Sequence, residues 1–96
     1  MTGETQSTAR QAALDRLDDL LELLRSQPAS ERAAELLEIA GHLRRAVEAF
    51  HMEGIRFRFF TLTRLSAQEV SGVPPRGHAL LEEIGAALQG AGFRIK

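Results

Sequence analysis

Residues 54–64 read GIRFRFFTLTR, and whether this stretch is strand or helix decides the fold. It holds three phenylalanines and three arginines in eleven positions, in a chain with no Trp and no Tyr. From Ile55 to Phe59 apolar and basic residues alternate with period two, and β-branched and aromatic residues continue to Thr63. That is the pattern of a half-buried strand. A helical reading competes, because Ile55, Phe59, Leu62 and Leu65 sit at steps of four, three and three. This stripe is out of phase with Leu43, Val47 and Phe50, so one straight helix would carry two differently directed apolar faces. The strand is therefore favoured over 55–63, with Gly54 as the break.

Upstream the pattern is helical. Residues 1–7 are small and polar and are read as a disordered lead, and Thr8 with Gln11 fits a capping box. Ala13, Leu14, Leu17, Leu20, Leu21 and Leu24 then recur at three- and four-residue steps with Asp15, Asp18, Asp19 and Glu22 between them. The spacing predicts an amphipathic helix over 8–26. Pro28 and Ser30 mark a turn and an N-cap. Leu36, Ala40, Leu43, Val47 and Phe50 follow at steps of four, three, four and three, a heptad seam on a second helix over 30–52. Two helices of similar length joined by a short turn imply an antiparallel hairpin.

Downstream, Val73-Pro74-Pro75 ends any helix. Leu80, Leu81, Ile84, Ala87 and Leu88 restore helical spacing over 77–90, closed by Gly90 and Gly92. The last residues, Phe93-Arg94-Ile95-Lys96, repeat the apolar–basic order of residues 55–58 and predict a second strand over 92–96. The expected fold class is thus α+β, a single domain in which a helical hairpin precedes strand–helix–strand. The alternative is all-α, with a long second helix running through residues 55–68. Two strands alone are marginal in water, and the core is thin for the length. The expectation is therefore completion by a homodimer through Leu36, Leu43, Val47 and Phe50 and an open strand edge.

Charge and composition narrow the function classes. The net charge is −1, but residues 1–50 carry nine acids against six Lys or Arg, and residues 51–96 four against six. With no cysteine there is no thiolate nucleophile, disulfide or zinc–thiolate site. The N-terminus lacks the basic and apolar regions of a secretory signal, and no apolar run suits a membrane helix. A cytoplasmic location is the default expectation. No nucleophile–base pair is suggested, so no enzyme activity and no cofactor are expected.

Three constellations carry possible chemistry. Glu48 and His51 share a helix face at the spacing of di-iron carboxylate bundles, and a dimer with Asp18 or Glu22 would complete such a metal site. The bland alternative is a solvated pair beside a helix end, and it is preferred. Glu38 and His42, four apart, are read as a surface pair. The basic residues Arg56, Arg58 and Arg64, with Arg94 and Lys96 beside them if the strands pair, form a candidate contact face for a partner or for nucleic acid. Because Phe alternates with Arg, the rings would face the core, which counts against single-strand binding. The leading expectation is a small non-catalytic protein-interaction module: a homodimeric adaptor, chaperone or regulatory subunit. A nucleic-acid-binding dimer comes second and a dimeric metalloprotein third.

Overall fold

A computed structural model describes residues 2–95. The elements in order are α1 (Thr2–Arg25), α2 (Glu31–Glu48), α3 (Met52–Ser66), a 3-10 turn (Glu69–Ser71) and α4 (Pro75–Gly90). No strand occurs among the described residues, so the α+β expectation is overturned and the fold is all-helical. Both expected strands are absent. Residues 55–63 lie inside α3, and residues 91–95 form a turn and an irregular tail. Nor does the second helix run on through residue 68, because α2 stops at Glu48 and α3 begins afresh at Met52.

The period-two signal failed because Phe alternates with Arg only over five residues. A longer stripe, Ile55, Phe59, Leu62 and Ser66, recurs at steps of four, three and four, and Ile55, Leu62 and Ser66 are buried. Burial of that stripe outweighs the strand preference of β-branched residues, which is a weak, context-dependent term. Thr61 and Thr63 adapt to the helix by donating their hydroxyls to the carbonyls of Phe57 and Phe59, each at 3.0 Å.

The phase conflict between the two apolar stripes is resolved at residues 49–51. The His51 N–H donates to the Ala46 carbonyl at 2.9 Å, and the Phe50 N–H to that of Val47 at 3.3 Å. These are the two bonds of a Schellman ending, which needs a left-handed residue just past the helix. Phe50 supplies it, with φ of 56°. His51 then caps the next helix, its Nδ1 accepting from the Gly54 N–H at 3.1 Å. Gly54 lies in the first turn of α3 and does not break it. A Cβ there would sit 2.5 Å from His51 Nδ1, so the glycine makes room for the cap.

At the front, α1 begins at Thr2, so the expected disordered lead is helical there and Thr8 is interior to the helix. Gln11 hydrogen-bonds Asp15 and closes no capping box. Ser30 caps α2, accepting from the Ala33 N–H at 3.0 Å. Pro75 opens α4 at a position where a missing N–H costs nothing.

In packing, α1 lies between α2 and α4, α3 lies along α2, and α3 meets α4 only briefly. Phe59 closes that last approach: a Cβ on Gly85 would stand 3.0 Å from its ring. The core joins Leu17, Leu20 and Leu24 of α1, Leu36, Leu43 and Val47 of α2, Ile55 and Leu62 of α3, and Leu80, Ile84 and Leu88 of α4. Each such side chain contributes about 1.5–3 kcal/mol through burial. One chain therefore forms a continuous core, and the thin core expected from two strands and a hairpin does not arise. The radius of gyration, 12.8 Å, is that of a compactly folded chain of this length. No helix of the described residues is long and apolar enough to cross a membrane.

Candidate interaction surface

A second stripe runs along α3, two residues out of step with the buried one. Glu53, Phe57, Phe60 and Arg64 also recur at steps of four, three and four, and all four are exposed. Phe57 is 61% and Phe60 60% accessible. Exposed single apolar residues are ordinary, but two phenylalanines one turn apart on one helix face are a patch. Met52 extends it at the helix start, also exposed. Beside the stripe lies an open groove of about 590 Å³ lined by Glu53, Arg56, Phe57, Phe60 and Ile95.

The arginines are arranged around these rings. The Arg58 guanidinium lies 5.5 Å from the Phe57 ring centre and that of Arg64 5.9 Å from Phe60. Cations and aromatics thus share one helix surface, against the expectation that Phe57 would point into the core and Arg56 and Arg58 away from it. The basic residues do not form one face. Arg56 lines the phenylalanine groove, whereas Arg58 lines a second groove with His42, Arg45, His51 and Gly54. Arg94 is exposed on the tail beyond α4, and Lys96 lies outside the described residues. Among the described residues, Glu53, Arg56, Arg58, Arg64 and Arg94 take part in none of the ion pairs.

An arginine of α2, Arg44, pairs with Asp18 of α1. Its Nε donates to Asp18 at 2.5 Å, and its other nitrogens reach Asp18 and Glu48. The Asp18 hydrogen bond holds the Arg44 pKa above the ordinary arginine value, against a smaller opposing effect of burial. This fastens α2 to α1 and occupies two of the carboxylates once considered as metal ligands. The remaining member of the pair, His51, is engaged in capping α3. Among the described residues, no three His, Cys, Asp or Glu side chains gather around a cation position. Glu38 and His42 are 3.9 Å apart on the surface, and His78 is exposed.

Of the heptad seam, Leu36, Leu43 and Val47 are buried in the chain's own core and present nothing to a second molecule. Phe50, the fourth member, is 63% exposed at the α2–α3 turn. Arg10 lies over its ring at 4.5 Å, and Phe93 stands beside it with ring centres 6.0 Å apart. Phe60, Met52, Glu53 and Ile95 were not among the candidate residues. The spacing of Glu53, Phe57, Phe60 and Arg64 was visible in the chain, but it means something only once the segment is a helix.

Compared with family models, curated proteins and solved structures, the chain shows no significant match to any.

Proposed function

We propose that this chain is a small non-catalytic protein-interaction module of the cytoplasm, serving as an adaptor, chaperone or regulatory subunit. Its docking surface is the outward face of α3. The observation that carries the reading is the exposure of Phe57 and Phe60 on a helix whose opposite stripe buries Ile55, Leu62 and Ser66. Aromatic and arginine side chains, concentrated here, are the residue types enriched at the energetic centres of protein interfaces. The test is affinity capture from the native source with the wild-type chain and with Phe57→Asp/Phe60→Asp side by side. Both positions are exposed, so the variant retains its helical circular dichroism. Partners retained by the wild type are expected to be lost from the variant, and equal capture by both would refute the reading.

A second reading, nucleic-acid binding, is favoured by one observation. Arg58 and Arg64 stack on exposed rings of the same helix, the combination that single-strand binders use. Glu53 on the same stripe counts against it. Fluorescence anisotropy with a mixed-sequence single-stranded DNA or RNA probe tests it. Binding that falls steeply with salt and is lost in Arg56→Ala/Arg58→Ala/Arg64→Ala supports it. No binding at low salt removes it.

A further inference from the structure

The α3 stripe has a property that a generic docking face does not need: it is the same when read backwards. The steps between Glu53, Phe57, Phe60 and Arg64 are four, three and four, so an antiparallel copy of the helix meets it level for level. We infer that the occupant of this face is α3 of a second copy of the chain, packed antiparallel about a twofold axis. The inference rests on the reading of the α3 face as a protein-docking surface.

In that register Glu53 lies level with Arg64 of the partner subunit, and Phe57 with the partner's Phe60. The twofold axis repeats each relation. Four phenylalanine rings form the centre of the contact, and one acid–base pair closes it at each end. The two charged positions are eleven residues apart, about 16 Å along the helix. They bracket the apolar centre as rim charges bracket an interface core. The same steps of four and three define the seam of a coiled coil.

Charge selects the direction. A parallel copy would set Glu53 beside Glu53 and Arg64 beside Arg64, two like-charge contacts. An antiparallel copy converts both into attractive ones. Within the chain neither Glu53 nor Arg64 takes part in any ion pair among the described residues, so both are available. The groove beside Phe57 and Phe60, bounded by Ile95, gives the partner's rings somewhere to enter.

Sedimentation equilibrium of the full chain, with charge-reversal variants, tests both the occupant and the register. The wild type is expected at twice the 10.6 kDa chain mass at micromolar concentration. Glu53→Arg alone and Arg64→Glu alone each replace two attractive pairs by two repulsive ones, and each is expected to weaken association about tenfold or more. Combining the two in one chain restores the attraction, as does mixing the two single variants, and both are expected within about threefold of wild type. Both residues are exposed, so each variant stays helical by circular dichroism. Each single reversal lowers the unfolding midpoint modestly, because Glu53 lies in the first turn of α3 and Arg64 in the last, where their charges favour the helix dipole. A dimer indifferent to these reversals overturns the proposal, as does one that the double variant fails to restore. A folded monomer overturns it too. If that monomer still loses its captured partners through Phe57→Asp/Phe60→Asp, the docking face stands and only the second copy is removed as its occupant.

Discussion

The helices α2 and α4 end in the same way with different residues. Each closes with the paired Schellman hydrogen bonds: His51 to Ala46 and Phe50 to Val47 in one, Phe93 to Leu88 and Gly92 to Gln89 in the other. Each needs a left-handed residue at the same place, Phe50 with φ of 56° and Gly92 with φ of 93°. Glycine adopts that conformation freely, whereas a residue with a Cβ is disfavoured by about 1–2 kcal/mol. At α4 the backbone is satisfied without strain, and the following Phe93 tucks into the core at 6% exposure. At α2 the strain is accepted, and the side chain accounts for it. The Phe50 ring lies under Arg10 of α1 and beside Phe93 of the tail, so it ties three separate parts of the chain. A glycine stops a helix, whereas Phe50 stops one and joins its end to two neighbours.

The largest expected effect comes from removing the freedom at α4. Gly92→Val puts a β-branched side chain at positive φ and is expected to cost about 2 kcal/mol in urea unfolding. A loss near zero would mean that the α4 ending is not held in the left-handed form. The next effect compares two substitutions at Phe50. Phe50→Ala keeps the strained conformation but loses the ring, and is expected to destabilise by about 1 kcal/mol. Phe50→Gly loses the same ring but relieves the strain, so it is expected to lie about 1 kcal/mol above the alanine variant, close to wild type. The order Gly above Ala is diagnostic. If alanine proves equal to glycine, the left-handed strain at Phe50 is absent and the comparison between the two endings collapses.

The same contrast explains what could be read from the chain and what could not. The apolar spacing over Ala13–Leu24 and Leu36–Val47 points to helices, and those residues are the buried faces of α1 and α2. Gly90 and Gly92 announce the end of α4 through the residue type that its left-handed position prefers. Nothing of that kind announces the end of α2, because Phe50 carries no sequence signal for a helix stop and stands at the next position of a heptad seam. The end expected at residue 52 therefore falls four residues late, and the phase change after Phe50 looked like a change from helix to strand. The second error followed from assuming that phenylalanine points inward. In α3 the core is served by Ile55, Leu62 and the partly buried Phe59, which leaves Phe57 and Phe60 outside with the arginines. Residues that break the inward rule leave an exposed apolar patch on this face, the feature on which the proposed docking surface rests. The candidate surface was therefore half legible: Arg56, Arg58 and Arg64 were read as exposed on this segment, and Phe57 was assigned to the core side.

The smallest effect concerns the cation over Phe50. Arg10 gains from lying 4.5 Å above the ring, an attraction of about 0.5–1 kcal/mol. Its Nε, however, is buried without a hydrogen-bond partner, which costs a comparable amount. The two terms nearly cancel, so Arg10→Met, which keeps the apolar stem and discards both, is expected within about 0.5 kcal/mol of wild type. Arg10→Ala removes the stem as well and should fall measurably below the methionine variant. A double-mutant cycle of Arg10→Met with Phe50→Gly isolates the cation–ring coupling from the buried nitrogen, and a value near 0.5 kcal/mol is expected. Should Arg10→Met instead cost well over 1 kcal/mol, the charge itself holds the α2–α3 turn against α1. Packing would then be the lesser part of what keeps Phe50 in its strained conformation.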